Sequence, residues 1–270
     1  MGVERVTGVD RIDGGAWRII AGAILLVLTA SALGAQSIAR RVERVRDGTV
    51  RMSFASRPDV CGNGRGNIST SSRGSWGTRY SEWEDECEHG PVRVAMDVAA
   101  GHIIAVRTYV GGRWKGVGDA VDLGLVGDAE AVDFLLDNAA RGSGSGAREA
   151  IFPASIADSV VVWPRLLAIA KDDSRERGVR TQAVFWVSQA AGEKASEGLA
   201  QLAGDAAEDR DVRLQAVFAI SQRHAEGVAT LINIARTSKD PEIRKQAIFW
   251  LGQSRDPRAI EFFEAILTRK

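Results

Sequence analysis

The chain has 270 residues, 35 basic and 35 acidic, with 45% apolar residues and only two cysteines. This mixture of charge and apolar residues is globular rather than disordered. Zero net charge speaks against a nucleic-acid binder, and two cysteines exclude a cystine-dense scaffold or a four-cysteine metal site.

Residues 1–18 are polar and carry Arg5, Arg11 and Arg18; an apolar run then extends from Ile19 to Leu28, followed by the small-residue stretch TASALGAQ. A basic flank, an apolar stretch and a small-residue exit describe a secretory signal peptide over 1–35, cleaved after Ala35. The alternative is a retained N-terminal anchor, since Ala16 to Ala35 is just long enough to span a bilayer. Either way the remaining chain is expected outside the cytoplasm, periplasmic or secreted, with no membrane contact after signal cleavage. An oxidising compartment permits Cys61 and Cys87 to pair.

Residues 36–115 read as a small β-rich module. After a charged stretch at 38–48, TVRMSFASR (49–57) alternates with Val50, Met52 and Phe54 on one face. PVRVAMDVA (91–99) alternates likewise, and Ala100-Gly101 turns the chain into HIIAVRTYVGG. Alternation on both sides of a short glycine turn predicts a hairpin, with 49–57 as a third strand. Between the strands, 58–90 lacks a period and reads as an irregular excursion tied down by the disulfide. GNGRG within it lacks the Lys-Ser/Thr ending and strand-to-helix setting of a phosphate loop. Glu82, Glu84, Asp85, Glu86 and Glu88 do not match a calcium-loop spacing and read as a solvated face. Trp76, Tyr80 and Trp83 are either cover for the small sheet or a secondary contact surface.

From 116 to 270 the chain repeats itself. VRTQAVFWVSQ begins at Val179, VRLQAVFAISQ at Val212 and IRKQAIFWLGQ at Ile243, with offsets of 33 and 31 residues. A weaker copy, REAIFPAS, places Phe152 thirty-three residues before Phe185. Each copy follows another apolar-periodic segment: 129–140, 161–170, 197–204 and 226–235, with 257–269 left as a closing helix. Asp240-Pro241 and Asp256-Pro257 put a capping Asp before a Pro at the first helical turn. A period in the low thirties predicts a mainly α fold, an α-solenoid of stacked antiparallel helix pairs, behind the β-rich module. GSGSG (142–146) is expected to be a loop insertion of small residues.

A helical wheel on the second helix of the pair puts Val179, Ala183, Val187 and Trp186 on the core arc. Phe185 lies opposite, beside Gln182 and Gln189. The pattern recurs as Gln215, Phe218, Gln222 and as Gln246, Phe249, Gln253, with Phe152 as a further rung. Second helices of a solenoid line its concave side, so these residues are candidates for a protein or peptide groove; packing of the rings on one another is the competing reading. Arg180, Arg213 and Arg244 recur at the edge of the core and are expected to bridge to a carboxylate such as Asp211 or Glu242, or to a neighbouring repeat's helix end.

The duplicated segments resemble HEAT-type repeats, in which the second helix opens with an aliphatic residue and Arg and continues with small and aliphatic positions, as in Val179-Arg180, Ala183-Val184 and Val187-Ser188. The resemblance covers roughly 128–270 and leaves 36–115 without a relative. It implies a non-catalytic scaffold or adaptor of the cell envelope that binds a protein or peptide. His89, His102 and His224 match no metalloprotease spacing, and GxSxG and SxxK motifs are missing. No cofactor, metal or catalytic residue is therefore expected. Two alternatives stand beside the adaptor: a cell-envelope enzyme, of unknown hydrolase class, with a site in 58–90, and a protein that self-associates through the ladder or the C-terminal helix.

Overall fold

The computed structural model describes residues 37–70, 87–114, 118–189 and 193–268. A short helix α1 (Ile38–Glu43) precedes strand β1 (Gly48–Phe54) and the two-residue strands β2 (Cys61–Gly62) and β3 (Ile68–Ser69). Then come β4 (Val92–Ala99), β5 (His102–Val110) and β6 (Val121–Leu125). The main sheet has the order β5-β4-β1-β6. β1 pairs antiparallel with β4, setting Val50 opposite Met96, Met52 opposite Val94 and Phe54 opposite Val92. All six side chains are fully buried, as the alternation in both segments requires. Ala100 and Gly101 both have positive φ, the backbone of a two-residue turn whose twist matches its strands.

The sheet extends beyond the boundary expected at 115. β6 runs parallel to β1, so the module reaches Leu125. Residues 71–86 lie outside the described residues, and with them Trp76, Tyr80 and Trp83; the signal segment 1–35 does so as well. Cys61 and Cys87 are joined in a disulfide, with Cα atoms 5.3 Å apart. The bond ties the β2–β3 hairpin to the segment entering β4. Gly62 lies so near the end of β5 that a Cβ there would sit 2.5 Å from the Val110 carbonyl oxygen.

Helix pairs follow. The first helices of the pairs are α2 (Asp128–Arg141), α5 (Trp163–Lys171), α7 (Glu193–Gly204) and α9 (His224–Thr237). Their partners are α3 (Gly144–Glu149) with α4 (Ile151–Ser155), then α6 (Arg177–Ser188), α8 (Arg210–Ser221) and α10 (Pro241–Gln253). α11 (Pro257–Leu267) closes the described chain. The first partner is split in two next to Pro153, which has no N–H to give to the Glu149 carbonyl four residues back. Asp209, Asp240 and Asp256 cap α8, α10 and α11 by accepting from backbone amides of the first turn.

Sheet and helices share one hydrophobic core. GSGSG is not a loop insertion but the seam between them. Gly144–Gly146 opens α3 against β5, and a Cβ on Gly146 would fall 2.2 Å from the Ile103 carbonyl oxygen. Ser145 Oγ donates to the Ile104 carbonyl at 2.7 Å, and the Val106 amide donates to Glu149 Oε2 at 2.9 Å. Small residues are required there because helix and strand backbones touch. On the other side of the seam, the Arg57 amide donates to Ile156 O and the Asp158 amide to Ala55 O, both at 3.0 Å.

Candidate functional site

The second helices of the pairs lie side by side, α6 against α8 and α8 against α10, and this row carries the aromatic ladder. Its rungs touch through tryptophan. Phe152 stacks on Trp186 with centroids 5.1 Å apart and planes at 27°, while Phe185 meets the same indole edge-on at 5.1 Å. Farther along, Phe218 packs on Trp250 at 5.2 Å, and Phe249 meets Trp250 edge-on at 5.0 Å. Such offset and edge-on pairs match the ring quadrupoles.

Trp186 was expected on the core arc. It packs against the core and lies half-buried at the junction between repeats, as does Trp250. The wheel treats a helix as if it were alone, whereas each indole is covered by the Phe of the preceding repeat. Both Nε1 atoms are buried with no hydrogen-bond partner. The recurring Phe-Trp dipeptide, replaced by Phe218-Ala219 in the middle copy, was the signal for these two residues.

The rings are not sealed. Phe152, Phe185 and Phe218 are half-buried, and Phe249 is 52% exposed. Two rows of amides flank them. Gln182, Gln215 and Gln246 are half-buried, while Gln189, Gln222 and Gln253 are exposed at or beside the helix ends. A local hydrogen-bond pattern orients the second row: Ser188 Oγ donates to the Phe185 carbonyl and Gln189 Nε2 to Ser188 Oγ, and Ser221 and Gln222 repeat the arrangement with Phe218.

Three hollows lie among these residues. One, of about 390 Å³, sits between the module and the first repeats and is lined by Ile68, Val106, Arg148, Glu149, Phe152 and Gln182 among others. A second, of about 270 Å³, is walled by Thr181, Gln182, Phe185 and Gln215. The third, of about 380 Å³, includes Gln222, Trp250, Gln253 and Arg255. The ionisable lining of the first is Arg148 and Glu149, and Glu149 is already held by the Val106 amide. Among the described residues no group of three or more His, Cys, Asp or Glu could hold a metal ion.

The recurring arginines fasten the row from behind. Arg180 is buried; its Nε donates to Ala170 O at 2.9 Å, at the end of α5, and its guanidinium pairs with buried Glu208. Arg213 does the same with Ala203 O at 3.3 Å and Asp240 at 2.9 Å, and Arg244 donates to Ser238 O at 2.8 Å. The bridges exist, but Arg180 and Arg213 take Glu208 and Asp240 rather than Asp211 or Glu242. Asp211 pairs instead with exposed Arg177. Partial desolvation acts to raise the Asp240 pKa, yet the Glu242 and Ile243 amides and the Arg213 guanidinium outweigh it and hold the carboxyl below its ordinary value.

Stacked antiparallel pairs, each bonded to the next and presenting their second helices as one surface, define an α-solenoid, the architecture of a helical scaffold for protein interaction. Residues 196–270 match the family of HEAT repeats. No curated protein matches the chain.

Proposed function

We propose that the protein is a cell-envelope adaptor whose ladder of Phe152, Phe185, Phe218 and Phe249, with the flanking glutamines, binds an extended segment of a protein partner. The observation that carries this reading is the row of part-exposed rings, alternating with amides and with hollows at Gln182 and Gln222. Aromatic anchors supply contact area at low entropic cost, and side-chain amides match the backbone groups of an extended chain. HEAT repeats generally mediate protein interactions, which supports the reading.

Export, to the periplasm or beyond the cell, is part of the proposal. It is supported by the basic–apolar–small order of residues 1–35 and by the Cys61–Cys87 disulfide, which belongs to oxidising compartments.

A photo-crosslinking amino acid at Gln215 tests the groove, with the same group at exposed Asn233 of α9 as its control. Envelope partners are expected to be trapped from Gln215 and not from Asn233, and to be lost on Phe185→Ala with Phe218→Ala in a variant that keeps its helical circular dichroism. Equal trapping at both positions, or capture unchanged by the Phe substitutions, would overturn the groove reading.

A further inference from the structure

The hollow between the sheet module and the first repeats meets a free strand edge, because β5 is the outer strand of the main sheet. Backbone direction alternates along each strand, and one bond fixes the phase. Ser53 O accepts from the Val126 amide and so faces β6, which turns Val50, Met52 and Phe54 toward β4. Arg93, Ala95 and Asp97 of β4 then bond to Tyr109, Arg107 and Ala105, and Val106, Thr108 and Val110 aim their amides and carbonyls outward. On that edge the Val106 amide is taken by Glu149 and the Val110 carbonyl by the Gly64 amide. Between them, the Thr108 amide and carbonyl have no partner among the described residues. Arg148 lines the same hollow and has neither a hydrogen bond nor an ion pair among the described residues. Its side chain lies over Gly178 of α6, where a Cβ would stand 3.7 Å from Nη1.

We propose, building on the groove reading, that this hollow holds the C-terminal carboxylate of the partner, so that the ladder reads protein C-termini. Gln182 lines both this hollow and the next one at Phe185, which makes the two continuous. A segment laid along the ladder from Phe218 past Phe185 arrives at β5 and the β2–β3 hairpin, whose Thr108 and Ile68 stand across its path. The groups met there suit an anion: an unpaired guanidinium and an open backbone N–H, both donors. Hydrogen bonds from such donors to a carboxylate are among the stronger ones in proteins. The Thr108 carbonyl beside them accepts a backbone N–H of the ligand, as when a strand is added to a sheet edge. An N-terminal ammonium would fit poorly. Glu149 is committed to the Val106 amide, and the incoming cation would face unpaired Arg148.

The test immobilises the full chain and offers it two N-acetylated random heptapeptide pools, one with free C-terminal carboxylates and one C-terminally amidated. Captured peptides are counted and sequenced by mass spectrometry. The acid pool is expected to be retained about tenfold better than the amide pool. Arg148→Gln should erase that preference, and Arg148→Lys should keep part of it. Arg148 is exposed, so neither substitution should change the circular dichroism. Thr108→Pro removes an N–H that makes no bond to β4, a change that a free strand edge tolerates, and should also lower the preference. Phe185→Ala with Phe218→Ala should reduce capture of both pools alike. Equal retention of the two pools, lost with the Phe substitutions, would overturn the carboxylate site and leave the groove standing. An acid preference untouched by Arg148→Gln would do the same, as would Arg148-dependent retention of amidated peptides rich in Asp or Glu. Capture of neither pool would overturn the groove and the site together.

Discussion

In the sheet module, touching residues are distant in sequence: Val50 packs beside Met96, and β6 returns to lie along β1 only after β4 and β5 have been laid down. In the helical stack, Arg180 finds Ala170 ten residues away and Glu208 twenty-eight away, and Arg213 repeats both contacts one repeat later. The module must close long loops before any pairing rewards it, and the disulfide shortens the connection between β2 and β4. The stack is a sum of similar joints between neighbours. Its failures should therefore be local to a joint, whereas those of the module should be collective.

Breaking one joint gives the largest expected effect. Arg180→Ala leaves Glu208 buried without its cation, and should cost about 3–5 kcal/mol in denaturant unfolding. Replacing Cys61 and Cys87 together by Ser reopens a loop across a 26-residue separation and should remove about 3 kcal/mol from the module. Module and stack should then unfold at separate denaturant midpoints when followed by amide exchange. Gly146→Ala attacks the seam. Its Cβ would lie 2.2 Å from the Ile103 carbonyl oxygen, so about 1–3 kcal/mol should be lost. Faster exchange of the Val106 amide would accompany that loss as Glu149 withdraws.

The smallest effect separates the two ends by pH. Hydrogen bonds from the Arg258 side chain and amide hold Asp256 down to about 2. A carboxyl depressed in the folded state stabilises it above the ordinary carboxylate pKa, and that contribution disappears as pH falls toward the folded value. Amides at the start of α11 should therefore lose protection between about pH 4 and 2. Asp256→Asn keeps a capping oxygen and should abolish this pH dependence. The hydrogen bond from Arg107 depresses Asp97 in the sheet as well, though to a lesser extent. The α11 transition is expected to be the clearer of the two.

The repeats and the β4–β5 hairpin were legible because a period needs only one chain segment at a time to be read. β6 was not: VDLGL is short, has a single buried side chain, Leu123, and contains Gly124 at positive φ. Its place is decided by β1, some seventy residues away. GSGSG looked like slack because composition cannot show that a strand backbone presses on it. The ladder residues could be named from the wheel, yet their contacts could not. Whether Phe185 meets another Phe or a Trp depends on how far neighbouring helices are offset, and the arginines chose Glu208 and Asp240 for the same reason.

One substitution among the repeats has a mechanical consequence. Ring contacts cross from α4 to α6 through Phe152 and Trp186, and from α8 to α10 through Phe218 and Trp250. Between α6 and α8 the position of the indole is held by Ala219. Aromatic plates thus brace the first and third joints, and the middle joint is held by aliphatic contacts, by the Arg180–Glu208 pair at its back and by Arg177, which pairs with Asp209 and Asp211. A load drawn along the stack would not spread evenly through such a series. The middle joint, which leans on exposed Arg177 where the others use rings, would loosen as salt screens that cation, while the ringed joints would not.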